Sequence, residues 1–194
     1  MKRLQKPITL PVAETNKKYQ IIMADPPWQY DFSKDNADKI ENHYPTMTLK
    51  QICSLNVPSD DNCVLYLWAT APKLLEALEV MKSWGFKYKT HAIWDKQWIG
   101  MGYWFRGTHE LLLVGTKGKV SPPKPTKRVA SVYKERRTEH SKKPRYFRDI
   151  ITDSFSADWN KLEMFARQKT DGWDAIGYEI DSQDIKKTLE NMAK

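Results

Sequence analysis

The apolar run Tyr19–Ala24 (Tyr-Gln-Ile-Ile-Met-Ala) stops abruptly on Asp25-Pro26-Pro27-Trp28. Two consecutive prolines fix φ twice and remove two backbone donors, so neither a helix nor a central strand continues through them. Asp25 is restricted in turn by the proline that follows it. A short buried strand must therefore end at residue 24 and hand the chain to a stiff turn. Further apolar runs at 62–68, 86–94, 110–116 and 161–166, and one within 173–179, read as strands. Helical signals fall between them. Thr48 caps a short helix to Leu55, and 71–84 carries Leu74, Leu75, Leu78 and Met81 at helical spacing with Gly85 as a stop. Pro144 opens a helix carrying Tyr146, Phe147, Ile150 and Ile151, and a short helix follows Ser182. Strands alternating with helices, several of them continuously apolar, predict an α/β fold with a mostly parallel sheet covered on both faces. Ligands of such sheets bind beyond the carboxyl ends of the strands, near a topological switch point. Asp25 and Arg167 each stand just past such an end.

The 194 residues suit one domain, 1–194, with a basic loop at 118–143 and a weakly held tail at 181–194. The formal net charge of +8 is unevenly spread. Between Lys117 and Arg148 stand twelve lysines and arginines against two acids, a local charge of +10, so the rest of the chain carries −2. A basic stretch of this density neutralises phosphates and gains affinity by counterion release; as a solvated loop it would need no partner at all. No run approaches 18 apolar residues, and the basic N-terminal segment lacks a signal-peptide apolar core, so a membrane is not expected. Cys53 and Cys63 have neither zinc nor disulfide-framework spacing and read as thiols in a reducing, cytoplasmic setting. His43, His91, His109 and His140 show no metal-ligand spacing, and no metal is assigned. There is no Gly-x-Gly-x-x-Gly fingerprint.

The turn at 25–28 offers one carboxylate, carbonyls without competing local amides, and a large aromatic plane. That set suits the exocyclic amino group of a flipped adenine. Asp25 and a proline carbonyl accept from the amine and hold its lone pair toward an electrophile, while Trp28 stacks on the base. The amine's lone pair is delocalised into the ring, so positioning and charge stabilisation should outweigh a dedicated general base. The plainer reading is a strand-ending turn with an aspartate cap.

With this turn the chain resembles the Asp-Pro-Pro-Trp-type adenine N-6 methyltransferases. These comprise the family of the catalytic subunit of the eukaryotic messenger-RNA adenosine methyltransferase together with bacterial and phage DNA adenine methyltransferases. The resemblance runs through an ordered series of blocks: 22–28, 43–47 (His-Tyr-Pro-Thr-Met), 65–70 (Leu-Tyr-Leu-Trp-Ala-Thr), 102–115, 136–144 and 161–167 (Lys-Leu-Glu-Met-Phe-Ala-Arg). It implies a Rossmann-like, S-adenosylmethionine-dependent methyltransferase with permuted motif order, catalytic block early and cofactor block late. By that resemblance Asp25, Pro26, Pro27 and Trp28 are catalytic. Lys143 lies near the cofactor's methionine end and near Asp25, which also counts as cofactor-binding; Arg167 and Gln168 serve the ribose, and Gly177, Tyr178 and Glu179 serve the cofactor's adenine. Tyr44 lines the acceptor pocket and Glu110 reaches the acceptor adenine; Trp104, Arg106, Arg136 and Arg137 are further substrate candidates. After Arg167 the chain is shorter than the eukaryotic pattern, and Tyr178-Glu179 stands where those relatives carry an amide pair.

Each residue also has a structural reading. Lys143 fits as one more loop charge, Arg167 as a surface arginine and Glu110 as a paired, part-buried acid. Trp94 is expected in the core, and Trp104 is open. The expected substrate is adenine in DNA, with RNA as the first alternative and a non-catalytic nucleic-acid-binding subunit as the second. A homodimer or partner subunit would supply the recognition surface that so short a chain has little room for.

Overall fold

The computed structural model describes residues 16–30, 46–138, 142–182 and 184–192. Among these residues seven strands form one sheet: β1 (Tyr19–Ala24), β2 (Ser59–Ala69), β3 (Lys87–Asp95), β4 (His109–Lys117), β5 (Val132–Lys134), β6 (Lys161–Met164) and β7 (Asp174–Ile176). Their spatial order is β5-β3-β4-β2-β1-β6-β7. The pairs β1/β2, β1/β6, β6/β7 and β3/β5 are parallel. Among the described residues only β4 runs against its neighbours, β2 and β3. From β1 the chain leaves toward β2 on one side, and β6 continues to β7 on the other. The crevice between the carboxyl ends of β1 and β6 is thus a switch point, where this architecture binds ligands.

The period-2 alternation of the strands divides the core in two. Ile22, Ala24, Leu65, Leu67, Leu111 and Leu113 point to one face. There they pack with Ile52 of helix α1 (Leu49–Cys53), Ala77, Val80 and Met81 of α2 (Leu74–Ser83), and Ile185, Leu189 and Met192 of α5 (Ile185–Met192). Ile21, Met23, Val64, Tyr66, Trp68 and Leu112 point to the other face, against Phe147 and Ile151 of α3 (Arg145–Ser154). Each buried Leu, Ile, Val, Phe or Met among them contributes roughly 1.5–3 kcal/mol by leaving water. A one-residue register slip would turn every core side chain of the slipped strand to the wrong face. The salt bridge from Arg148 to Glu163 (2.7 Å) ties α3 to β6.

Local chemistry explains the boundaries. Thr48 and Gln51 form a reciprocal capping box at the start of α1. Pro72 gives residues 71–73 a single 3-10 turn before α2, and Leu75, expected on the apolar stripe, faces solvent. Pro144 occupies the position just before α3 rather than its first turn. Two expectations change. The basic loop contains β5, which pairs with Ile93–Asp95 at the sheet edge and is fastened by the Trp94 indole donating to the Glu135 carbonyl (2.8 Å). The tail expected to be weakly held instead buries Ile185, Leu189 and Met192, whose i, i+4, i+7 spacing gives α5 one apolar stripe. A four-residue α4 (Tyr178–Asp181) precedes it. No helix among the described residues is long and apolar enough to cross a membrane.

Candidate active site

Asp25 stands at the carboxyl end of β1, its side chain 27% exposed. The Lys143 ammonium donates to its Oδ2 at 2.6 Å. Lys143 comes from the segment leading into α3, and it also meets Glu110 Oε2 at 3.3 Å. Glu110 is the second residue of β4, and because that strand runs in reverse its first residues lie at the rim where β1 and β2 end. Lys96, just past β3, holds the other Glu110 oxygen at 3.4 Å. The result is an alternating chain of charges, Asp25–Lys143–Glu110–Lys96, with side chains from four separate parts of the sequence. Below it lies Trp68, the face of its ring 5.5 Å from the Lys143 ammonium.

These groups shift one another's protonation. Burial pushes the Asp25 carboxyl above the usual aspartate range, helped by nearby Glu110 and opposed by Lys143 and Arg167. Burial would also raise Glu110, but Lys143 and Lys96 outweigh it and hold that carboxyl below its ordinary value. Burial would lower Lys143, but Asp25 and Glu110 outweigh it and keep the ammonium protonated far above neutral pH. At neutral pH the site presents a fixed cation between two acids.

The turn itself departs from expectation in two ways. The Pro26 carbonyl accepts from the Trp28 amide (2.9 Å), and the Pro27 carbonyl accepts from the Met47 amide (2.9 Å). The carbonyls therefore do have competing amides, though each keeps a second lone pair. Trp28 is only 6% exposed and its indole donates to the Trp68 carbonyl at 3.2 Å. Its ring is packed into the core beside the site, not displayed as an open plane, because the turn folds it back along β2.

Beyond β6, Arg167 pairs with Glu179 at the start of α4 (3.5 Å). The two bracket the adjoining ends of β6 and β7. Gly177 is buried between them, and a Cβ there would lie 2.4 Å from the Ala166 carbonyl oxygen, so the close approach of the two strand ends requires glycine. Gln168 and Tyr178 are exposed on the same rim. Asp25, Lys143 and Glu110 are thus brought into one cluster, and Arg167, Gly177 and Glu179 into a second along the rim. Arg136 and Arg137 lie elsewhere, over the Trp98 ring at 5.5 and 4.7 Å. Trp104 and Arg106 belong to the β3–β4 connection, where Trp104 is exposed and the Arg106 guanidinium donates to the Gly100 carbonyl. Trp94 is in the core, as expected. Tyr44 lies outside the described residues. Sequence reasoning missed Lys96 and Trp68. Trp68 sits in the 65–70 block at the end of an apolar strand, a signal that could have found it. Lys96 meets Glu110 only through the antiparallel β3/β4 pairing.

A switch-point crevice with an Asp-Pro-Pro-Trp turn on one side and an arginine–glutamate pair on the other defines a methyltransferase of the adenine N-6 class. Residues 19–179 match the MT-A70 family, and the chain belongs to it. It is 38% identical to the type II methyltransferase M.MunI of Mycoplasma sp., over 88% of this chain and 81% of that protein. It is 29% identical to the N(6)-adenosine-methyltransferase MT-A70-like protein of Drosophila melanogaster, over 84% of this chain and 27% of that one. With the N(6)-adenine-specific methyltransferase METTL4 of Homo sapiens it shares 26%, over 88% of this chain and 39% of that one. The chain therefore spans most of the bacterial relative and well under half of the eukaryotic ones.

Proposed function

We propose that this enzyme transfers a methyl group from S-adenosylmethionine to the 6-amino group of adenine in DNA, in the cytoplasm. The observation that carries the reading is the Asp25–Lys143–Glu110 cluster on the rim, built on the first residue of the Asp-Pro-Pro-Trp turn. DNA is favoured over RNA because the likeness to a type II methyltransferase is stronger and spans most of that protein, whereas the adenosine methyltransferases are matched over about a quarter of theirs.

The residues present fit the cofactor. The Trp68 N–H is buried without a partner among the described residues, and its ring lies under the Lys143 ammonium. A buried orphan donor costs about 1–3 kcal/mol unless something accepts from it. Together with the Lys143 ammonium, it suits a ligand end rich in oxygen, such as an amino-acid carboxylate. Arg167 and Glu179 supply a donor and an acceptor for ribose hydroxyls, and the rim at Gly177–Glu179 would hold the cofactor's adenine. When bound, the cofactor supplies an electrophilic methyl group.

The chain's own residues do the rest. Asp25 and the second lone pair of the Pro26 carbonyl each accept one N–H of the target amine, which fixes its lone pair along the line of attack. As the nitrogen gains positive charge, the Asp25 carboxylate stabilises it in a site shielded from water. Because burial raises the Asp25 carboxyl, that group is a better resting place for the released proton than an ordinary surface aspartate would be. Lys143 holds Asp25 in position, and Glu110 holds Lys143. Glu110 would also accept from the incoming base.

The test is methylation of duplex DNA, single-stranded DNA and RNA pools with labelled cofactor, followed by mapping of the modified base. Wild-type enzyme should label N-6 of adenine in DNA. Asp25→Ala should lower the rate by at least about 100-fold, the loss typical of removing a preorganised polar group. Retained activity in that variant would overturn the mechanism, and RNA labelled in preference to DNA would overturn the substrate.

A further inference from the structure

The connection between β3 and β4 carries a group of side chains that the fold leaves uncovered. Met101, Tyr103, Trp104 and Phe105 are between 81% and 96% exposed, and Ile99 and Trp98 add to the same patch. Contiguous exposed apolar groups of this size mark a binding surface. The connection is a closed structure. Lys96 N–H donates to the Thr108 carbonyl, Gly100 N–H to the Gly107 carbonyl and Gly107 N–H to the Met101 carbonyl. The Arg106 guanidinium donates to the Gly100 carbonyl at 2.6 Å. At the tip the chain folds so tightly that a Cβ on Gly102 would lie 2.0 Å from the Phe105 carbonyl oxygen. Three adjacent aromatic rings are therefore held outward on a narrow, fixed support.

Two features say what the tip meets. The first is position. The base of the hairpin is Lys96 and Glu110, both members of the active-site charge chain, and Trp104 is six residues from Glu110, at most about 20 Å of chain. The second is charge. Arg106 lies within the tip, and Arg136 and Arg137 stack on Trp98 at its flank, with the rest of the basic segment beyond them. Aromatic rings bordered by arginines complement a nucleic acid: rings for bases, guanidinium groups for phosphates.

Resting on the adenine-methylation reading above, we propose that Tyr103–Phe105 form a wedge. It enters the DNA base stack next to the target adenine and takes over the stacking that the extruded base gives up, while Arg106, Arg136 and Arg137 hold the flanking phosphates. Extruding a base from a duplex costs its stacking and pairing energy, and apolar side chains inserted at a base step are a known way to offset that cost. A single strand needs no such help, so the wedge matters most for duplex DNA.

The experiment compares wild type, the double variant Trp104→Ala/Phe105→Ala and the conservative Trp104→Phe on duplex and single-stranded DNA pools of the same sequence. Alongside this, 2-aminopurine scattered through the duplex reports base unstacking on protein binding. The alanine variant should lower the duplex-to-single-strand rate ratio at least about tenfold, the scale of removing one ring stacked on a base. It should also abolish the 2-aminopurine signal. Trp104→Phe should restore most of both. Asp25→Ala, with its tip intact, should still give the 2-aminopurine signal while losing methylation, so failure of the chemistry and failure of the wedge are read separately. An unchanged ratio with an unchanged signal would overturn the proposal. So would a wild-type dimer that the alanine variant converts to a monomer in light scattering, since the tip would then be a self-association surface.

Discussion

At the scale of single residues, Lys143 is the group on which the site turns. It touches both acids, lies over Trp68, and its side chain is only 14% exposed. Removing one member of a buried ion network leaves its partners charged and unpaired, at a cost of roughly 3 kcal/mol. Lys143→Met should therefore lower the stability read from urea unfolding by that amount as well as weaken cofactor binding, whereas a bystander loop lysine would change neither. Asp25 gives a pH prediction. It must be ionised to accept from the amine, and its carboxyl lies above the ordinary 3.8 because burial disfavours the charge. The acid limb of kcat/KM, which reports the free enzyme, should therefore fall at a pH above 3.8. The stability effect has the opposite sign. A carboxyl raised by folding destabilises the fold where it is ionised and ceases to do so as pH falls through its folded value. Asp25 is legible in the sequence because two prolines force a turn that displays it. Lys143 and Glu110 are legible only as members of ordered blocks. Lys96 is not legible at all, since its role depends on which strand lies beside which.

At the scale of elements, hydrophobic periodicity locates the buried strands β1, β2, β3, β4 and β6 directly and brackets β7 within its window. It fails where composition misleads. Prolines and lysines around Val132–Lys134 read as loop, yet an edge strand needs only one partner, and Ile93–Asp95 provides it. The C-terminal helix is visible in the sequence but reads as loosely held, because its apolar residues are few. Ile185, Leu189 and Met192 are nonetheless all buried, and few well-placed side chains suffice. Leu189→Ala should cost about 3 kcal/mol, within the range for a fully buried leucine, as read from chemical denaturation. A loss below about 0.5 kcal/mol, the scale of an ordinary surface substitution, would mean the helix is peripheral after all.

At the scale of the whole molecule, the basic excess belongs to residues 117–148, which include the edge strand β5 and, just past it, Arg136 and Arg137. Neutralising Arg136, Arg137 and Lys142 together should weaken nucleic-acid binding. It should also flatten the dependence of log affinity on log salt by about 0.9 for each phosphate no longer neutralised, so by up to about 3. Titrations at several salt concentrations measure this directly, and an unchanged slope would make the segment a bystander. The fold class is readable from the sequence because the order of strands and helices permits few topologies. The reversal of β4, which brings Glu110 to the rim, is not readable, since an antiparallel insertion leaves no mark on hydrophobic periodicity.

The central place of β1 has a consequence for how the molecule comes into being. Its two neighbours are acquired at very different distances along the chain: Ile21 pairs with Val64 on one side and with Lys161 on the other, 140 residues away. Pairings of such separation incur most of the loop-closure entropy before any contact repays it, so they form slowly and late. During synthesis the Asp-Pro-Pro-Trp turn leaves the ribosome early but stays next to an open strand edge until residues 161–164 arrive to cover it. The nascent protein thus carries Asp25 and its turn long before Arg167 and Glu179. A chain stalled in that interval would be inactive and, with the edge of β1 exposed, prone to pair with its copies.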